Sequence, residues 1–415
     1  MRILLVTPMP PRAEAPGAIP LVLHAQLVGL RDRHDLTLVT AFGDEAGEME
    51  AALELERSEL DVHTIDMRQP EGLARWRRRW RLASSWARGF KPWRTVWFAD
   101  PRVQETILRL TATRQFDIAT VEDNSMGVFR FPDSLPTVIT EYEVRRPRSI
   151  DWHCGSPKNW PAWLVREADW RRWRGYQRRV WSRFDLIQVV SERDYGAVEE
   201  SAPELRERVR VTPFGIDLPA RVDPTREQPG NLLFVGNFTH PPNVDAARWL
   251  ALEIMPRLRT LRTAARLHLV GSAMPESVRV LAESDVEVVG EVPTLDRLLE
   301  RAAVVMAPVR TGGGMRMKVL RALAAGKAVV TTPRGAEGFT LGGDPPLVVA
   351  EGADAIADET AMLLRDDEQR RALADRARAF VTEHYSAEAY GRRLESVYQE
   401  AVATKRPSMT MRPGG

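Results

Sequence analysis

Arg310-Thr311-Gly312-Gly313-Gly314-Met315-Arg316-Met317-Lys318 is the stretch of this 415-residue sequence whose residue types and spacing are best suited to chemistry. Its three glycines lack a Cβ, so their N–H groups can approach an anion closely. The apolar run that follows, closed by Gly326, reads as a helix, and a helix start offers unpaired donors and a partial positive charge. Arg316 and Lys318 place cationic side chains at that same end. Backbone donors from Gly312, Gly313 and Gly314, a dipole and two cations together suit a diphosphate. A tight turn whose basic residues face water would be written with the same letters, and the neighbouring motifs below favour the diphosphate.

Carboxylates form a second group of candidates. The run Asp117 to Val121 ends in Glu122-Asp123-Asn124, and Thr137 to Thr140 ends in Glu141-Tyr142-Glu143. Both clusters fall at carboxyl ends of strand-like runs, where open parallel sheets bind ligands. Glu122 is the candidate for an acceptor-hydroxyl contact, with Asp123 and Tyr142 beside it; a solvated loop carboxylate or a helix cap is the plainer role. Gly17, just before the first helix, either lets an acceptor or sugar approach the backbone or simply turns the chain. Glu337, in Gly335-Ala336-Glu337-Gly338, either contacts a donor or caps the next turn. His24, His34 and His153 show no ligand spacing. Cys154 is the only cysteine, which excludes an intramolecular disulfide framework and a multi-Cys metal site. No Asp-x-Asp occurs to hold a metal on a diphosphate, so no metal or cofactor is expected.

These residues need elements to position them. Short β-type runs at Ile3 to Thr7, Asp35 to Thr40, Val62 to Asp66, Asp117 to Val121, Thr137 to Thr140 and Asp185 to Val190 alternate with helix-length stretches. A second series follows at Leu232 to Val235, Ala265 to Val270, Val286 to Val289, Val304 to Ala307, Ala328 to Thr331 and Leu347 to Ala350, with helical patterns such as Val244 to Arg257 between them. The expected class is α/β: two doubly wound, Rossmann-like domains with a cleft between them. Expected boundaries are 1–217 for the first, acceptor-side domain, 218–230 for a linker and 231–385 for the second, donor-side domain. A C-terminal helix at 386–403, expected to cross back to the first domain, and a flexible tail at 404–415 complete the chain.

In this order and spacing the motifs resemble those of family 4 (group 1) glycosyltransferases, in a branch with a Gly-Gly-Gly turn. The matching segments are Phe234-Val235-Gly236-Asn237-Phe238, Pro241 to Ala246, Leu269-Val270-Gly271, the glycine turn, Ala322 to Thr332 and Gly335 to Gly338. Phe184-Asp185, Val190 to Asp194 and Pro213 to Asp217 are similar to that family's approach to its hinge. The resemblance spans most of residues 1 to 385 and is most specific from 231 to 340. It implies a GT-B fold and retaining, metal-independent transfer of a hexosyl group from a UDP- or GDP-linked sugar, with the acceptor left open among lipid-linked, polysaccharide and small-molecule classes. Arg316 and Lys318 would neutralise the leaving diphosphate, and Gly312 to Gly314, Asn237 and Glu337 would line the donor. Four positions depart from the family. Gly313 and Arg321 stand where many relatives have glutamates, and Asn237 and Asn243 stand near places commonly held by Arg and Lys. A non-catalytic member of the fold, or a pseudo-glycosyl coupling enzyme, is the alternative.

One stretch lies outside this scheme. Residues 71 to 100 carry eight basic side chains against Glu71 and Asp100, and Trp76, Trp80, Ala83, Ala87 and Phe90 recur at helical spacing. Such a helix either packs its aromatic stripe on the core or meets an anionic membrane surface through residues 74–97. A second Trp/Arg stretch, Trp160 to Trp181, adds little to either. No nucleic-acid module is present and no nucleic-acid partner is expected. With no apolar span of bilayer length and no secretory-type leader, the expected location is cytoplasmic, peripheral at the inner membrane face if the helix docks there.

Overall fold

The computed structural model describes residues 1–15, 17–69, 72–144, 160–219, 222–312, 315–339 and 341–405, without the side chains of 73–75, 78, 79, 160–164 and 166. Gly313, Gly314, His153, Cys154 and the tail from residue 406 therefore lie outside the described residues. By its contacts the chain divides into two units, one of residues 1–12, 26–212 and 391 onward, the other of 13–25 and 213–390.

In the first unit, β1 (Arg2–Thr7), β2 (Asp35–Phe42), β3 (Asp61–Asp66), β4 (Ile118–Glu122), β5 (Thr137–Glu141), β6 (Leu186–Val189) and β7 (Val209–Val211) form one sheet in the order β3-β2-β1-β4-β5-β6-β7. All its pairings are parallel. Ile3, Leu4, Leu5 and Val6 point alternately to opposite faces, yet all are buried, as a parallel sheet covered on both faces requires. β7 escapes the sequence pattern because Val209-Arg210-Val211 is short and has a charge at its centre.

The second unit repeats the plan. Its strands β8 (Asn231–Val235), β9 (Arg266–Val270), β10 (Val286–Gly290), β11 (Val304–Ala307), β12 (Ala328–Thr331) and β13 (Val348–Val349) are all parallel, in the order β10-β9-β8-β11-β12-β13. In each sheet the strand order reverses once, between β1 and β4 and between β8 and β11. Such a switch point opens a crevice at the strand carboxyl ends.

Local chemistry sets the helix limits. Asp100 accepts from the Arg102 N–H at 3.0 Å and is followed by Pro101, which starts the helix Pro101–Thr113. Gly326, at φ +73°, ends the helix Met317–Ala324 with its N–H on the Leu323 carbonyl and the Lys327 N–H on that of Ala322. The helix expected from Val244 to Arg257 is interrupted: a π-turn at Leu250–Ile254 separates Pro241–Trp249 from Met255–Thr260. Pro256 lacks the N–H that a continuous α-helix would use there, and the wider turn accommodates the loss. Ala353–Arg365, Asp367–Tyr385 and Ala387–Thr404 are the last helices, and no helix of the described residues is long and apolar enough to cross a membrane.

Candidate functional site

The β8/β11 switch point carries the glycine turn. Gly236 and Gly271, which follow β8 and β9, approach so closely that a Cβ on Gly271 (φ +146°) would stand 1.7 Å from the Gly236 carbonyl oxygen. A Cβ on Gly236 would meet Asn243 at 3.0 Å. Glycine at these positions lets the Asn243 side chain lie against the strand end, where its Nδ2 donates to the Asn237 carbonyl at 2.6 Å. Its Oδ1 accepts from the Lys318 ammonium. That ammonium also lies 4.7 Å from the centre of the Phe234 ring, a cation–π contact. Among the described residues no carboxylate pairs with Lys318. Burial, with the Arg316 charge adding to it, pushes its pKa down to about 7.

Arg316 occupies the N-cap of the helix Met317–Ala324 and is almost wholly buried. Its Nη2 donates to the Thr311 carbonyl at 3.2 Å, and Gly312 (φ +92°) leaves room for the guanidinium, since a Cβ there would come within 3.3 Å of Arg316 Nη1 and of Pro242. The guanidinium thus braces the turn while its charge stays beside Lys318. The side chain of Asn237 is engaged locally, its Oδ1 accepting from the Thr239 N–H at 2.9 Å and hydroxyl at 2.7 Å. Arg321 is mostly buried and donates to both carboxylate oxygens of Glu14, at 3.0 and 2.9 Å.

The loop after β12 packs on this turn. A Cβ on Gly338 (φ +91°) would meet Met315 at 2.8 Å, so the glycine allows the two segments to touch. Glu337 of that loop accepts from Arg334 Nη1 at 2.6 Å, and its Oε2 is buried with no hydrogen-bond partner among the described residues. The structure therefore brings Gly312, Arg316, Lys318 and Asn237 together, with Glu337 on the adjoining loop. Gly313 and Gly314 belong to the same motif but lie outside the described residues. Among the described residues no three His, Cys, Asp or Glu side chains are grouped as metal ligands would be.

In the first unit, Glu122 and Tyr142 meet at the carboxyl end of β4. Glu122 is fully buried. Its Oε1 accepts from Gln26 Nε2 at 2.8 Å and the Thr120 hydroxyl at 3.0 Å, and its Oε2 from the Tyr142 hydroxyl at 2.8 Å. Of this group Tyr142 is half-buried, whereas Gln26 and Thr120 are fully buried. Burial pushes the Glu122 carboxyl upward despite these donors. Asp123, at φ +76°, caps the short 3-10 helix Asn124–Val128 through the Ser125 N–H at 2.8 Å and pairs with Arg94 at 3.1 Å. Glu141, buried at the end of β5, accepts from Asn124 Nδ2 and Trp181 Nε1, and burial pushes its pKa to about 8. A Cβ on Gly17 would meet Pro20 at an ordinary 3.8 Å and nothing nearer among the described residues, so no close approach demands a glycine there. Sequence reasoning missed Gln26 and Tyr398, which hydrogen-bond each other at 3.0 Å beneath Glu122. Gln26 lies in the almost wholly apolar helix Ala18–Leu30 and Tyr398 in the amphipathic helix Ala387–Thr404, and in neither does one buried polar residue leave a periodic trace.

Comparison with known proteins bears on both units. A family model described as glycosyl transferases group 1 matches residues 229–366, which include the glycine turn and the β12 loop. In structure the chain is similar to Anabaena HepE in complex with UDP, with a TM-score of 0.64, 13% identity and coverage of 96% of this chain and 100% of that one. The same Anabaena protein in complex with UDP-glucose gives 0.63, 14%, 96% and 100%. Sucrose-phosphate synthase from Thermosynechococcus elongatus gives 0.65, 16%, 97% and 100%. No curated protein matches the sequence. The fold is that of the GT-B glycosyltransferases, two Rossmann-like α/β domains with parallel sheets.

Proposed function

We propose that this chain is a retaining, metal-independent glycosyltransferase that takes a hexosyl group from a UDP-linked sugar, its donor diphosphate held by Arg316, Lys318 and the backbone of residues 312–314. The observation that carries the proposal is Lys318: an ammonium at the sheet's switch point, beside a helix start and a second cation, with an amide oxygen and an aromatic ring as its partners among the described residues. A half-buried cation with no carboxylate partner among the described residues is stabilised when an anion completes it. Negative charge grows on the diphosphate as the sugar leaves, so cations fixed there stabilise the transition state more than the ground state. UDP is favoured over GDP because the Anabaena protein of like fold was crystallised with UDP and UDP-glucose. Asn237 and Glu337 lie beside the donor. On the acceptor side, Tyr142 makes the contact, with Asp123 in the same unit beside it and Glu122 positioning Tyr142 from below; Gly17 is a further acceptor-side candidate.

The test is a thermal-shift and calorimetric screen with UDP- and GDP-sugars, repeated on Arg316→Ala and Lys318→Ala. Ligand binding to the native state raises its melting temperature by mass action. The proposal requires a shift with UDP-sugars that both variants lose. A shift with GDP-sugars alone corrects the nucleotide, and none at saturating donor removes the donor site. Turnover by proton NMR then reads the anomer of the product, and inversion would refute the retaining mechanism.

A further inference from the structure

We infer that the helix Gly72–Arg88 and the turn after it form a docking face for an anionic phospholipid bilayer. The structure separates the two roles open to this stretch. Trp76 is 63% exposed, Trp80 71% and Phe90 73%, so the aromatic stripe is not core packing. The Trp160–Trp181 helix behaves differently, with Trp173 and Trp181 buried among the first unit's apolar residues.

What holds the exposed face in place is a set of contacts at its far end. Asp169 accepts from Trp86 Nε1 and from the Trp93 N–H, both at 2.7 Å. The Arg172 guanidinium lies 4.1 Å from the centre of the Trp86 ring. Trp86 thus anchors the helix to its neighbour, which leaves Trp76 and Trp80, one turn apart, on the outward side. Arg77, Arg81 and Arg88, also exposed, form the adjacent stripe. From Gly72 to Phe98 the sequence has eight basic residues and no acidic one.

Large apolar rings left in water beside the exposed Arg77, Arg81 and Arg88 fit a surface that offers both an apolar layer and phosphates. A bilayer does so at two depths, with indoles at the acyl boundary and guanidiniums at the head groups. A nucleic acid would use the charge, but base stacking calls for rings set along a groove that tracks the strand rather than on a helix ridge. The inference stands independently of the glycosyl-transfer proposal.

The experiment is flotation of the full-length protein with mixed phosphatidylglycerol–phosphatidylcholine vesicles and with pure phosphatidylcholine vesicles, with tryptophan emission recorded. Expected is partition to the anionic vesicles only, a blue shift, and quenching by lipids brominated near the head group. Two variants, Trp76→Ser/Trp80→Ser/Phe90→Ser and Arg77→Gln/Arg81→Gln/Arg88→Gln, should each lose about tenfold or more of the partition coefficient, since each basic residue near such a surface contributes on the order of 1 kcal/mol. The quenching reads insertion in the unaltered protein, so the outcome does not hang on the variants folding. Absence of partition at low salt, partition unchanged in both folded variants, or preferred binding of a single-stranded oligonucleotide would overturn the inference.

Discussion

The proton on Lys318 gives the sharpest test of the donor site. Its pKa of about 7 means that the ammonium is partly neutral at physiological pH while the site is empty. A diphosphate favours the charged form, so binding above pH 7 must recruit a proton, and affinity falls as pH rises. With a free-state pKa near 7, about nine-tenths of the sites are charged at about pH 6 and about one-tenth at about pH 8, which weakens binding about tenfold, or about 1.4 kcal/mol. The empty protein responds in the opposite sense. Because the unfolded chain holds this proton up to the ordinary lysine range, Lys318 makes the apo fold more stable as pH rises from about 7 to about 10.

UDP-glucose is the suitable probe because both phosphates are esterified and neither titrates near neutrality, as the terminal phosphate of UDP does. Isothermal titration in buffers of different ionisation heat counts the proton directly. Lys318→Arg should bind with a flat pH profile, since a guanidinium stays charged throughout, and Lys318→Met should bind weakly and also flatly. A flat profile in the wild type, or the same slope in Lys318→Met, would refute the reasoning by showing that the proton belongs elsewhere.

Other outcomes follow from the same structure. Gly271→Ala must place a methyl group onto the Gly236 carbonyl at a left-handed backbone angle, which costs about 1–3 kcal/mol in backbone strain alone and lowers the melting temperature by about 2–4 °C per kcal/mol; an unchanged melting curve contradicts the close approach. Glu227→Gln leaves the buried Lys327 without this carboxylate and the buried Arg370 with the exposed Asp367 as its remaining one, and should cost about 3 kcal/mol in urea unfolding, whereas a loss below about 1 kcal/mol would show the network to be dispensable. Glu141 holds a proton in the folded state up to a pKa of about 8 that the unfolded state loses near 4.5, so its contribution to stability diminishes as pH rises between those values. Glu141→Gln should therefore unfold like the wild type near pH 5 and be more stable by roughly 3–5 kcal/mol near pH 8, and parallel pH profiles would exclude this titration.

Much of the architecture was legible because parallel strands buried on both faces appear as short apolar runs, and twelve such runs each overlap an observed strand. β7 was not, being three residues around Arg210, whose charge is satisfied by Glu400 from a remote helix. The π-turn was hidden because Pro256 allows a kink, an ending or a wider turn, and packing chooses among them. At the site, the glycine turn and its two cations could be read directly, since spacing alone places them on one strand–helix junction. Asn243 was noticed only as a departure from relatives; its role in seating Lys318 depends on the space above Gly236. Glu122 was singled out as an acceptor-hydroxyl contact; its burial could not be read because the partners beneath it, Gln26 and Tyr398, come from helices far away in sequence.

Taken singly, the two units handle charge at their strand carboxyl ends in opposite ways. The first concentrates acids: Glu122, Glu141 and Asp194 are all buried and all shifted upward by that burial, so each is biased toward the neutral form. Their hydrogen bonds come from side chains and backbone of the same unit, which leaves little for a charged ligand to complete. The second concentrates cations, and there burial works on Lys318 in the reverse sense, while the nearest partner is an amide. Had Asn243 been an aspartate of the same length, its carboxylate would have raised the lysine's pKa and neutralised the charge that the proposed diphosphate would meet. A neutral acceptor orients the ammonium without cancelling its charge. If the proposed donor diphosphate binds beside Lys318, Asn243→Asp should weaken UDP-glucose binding while removing its pH dependence, a result that loss of a merely structural amide would not produce.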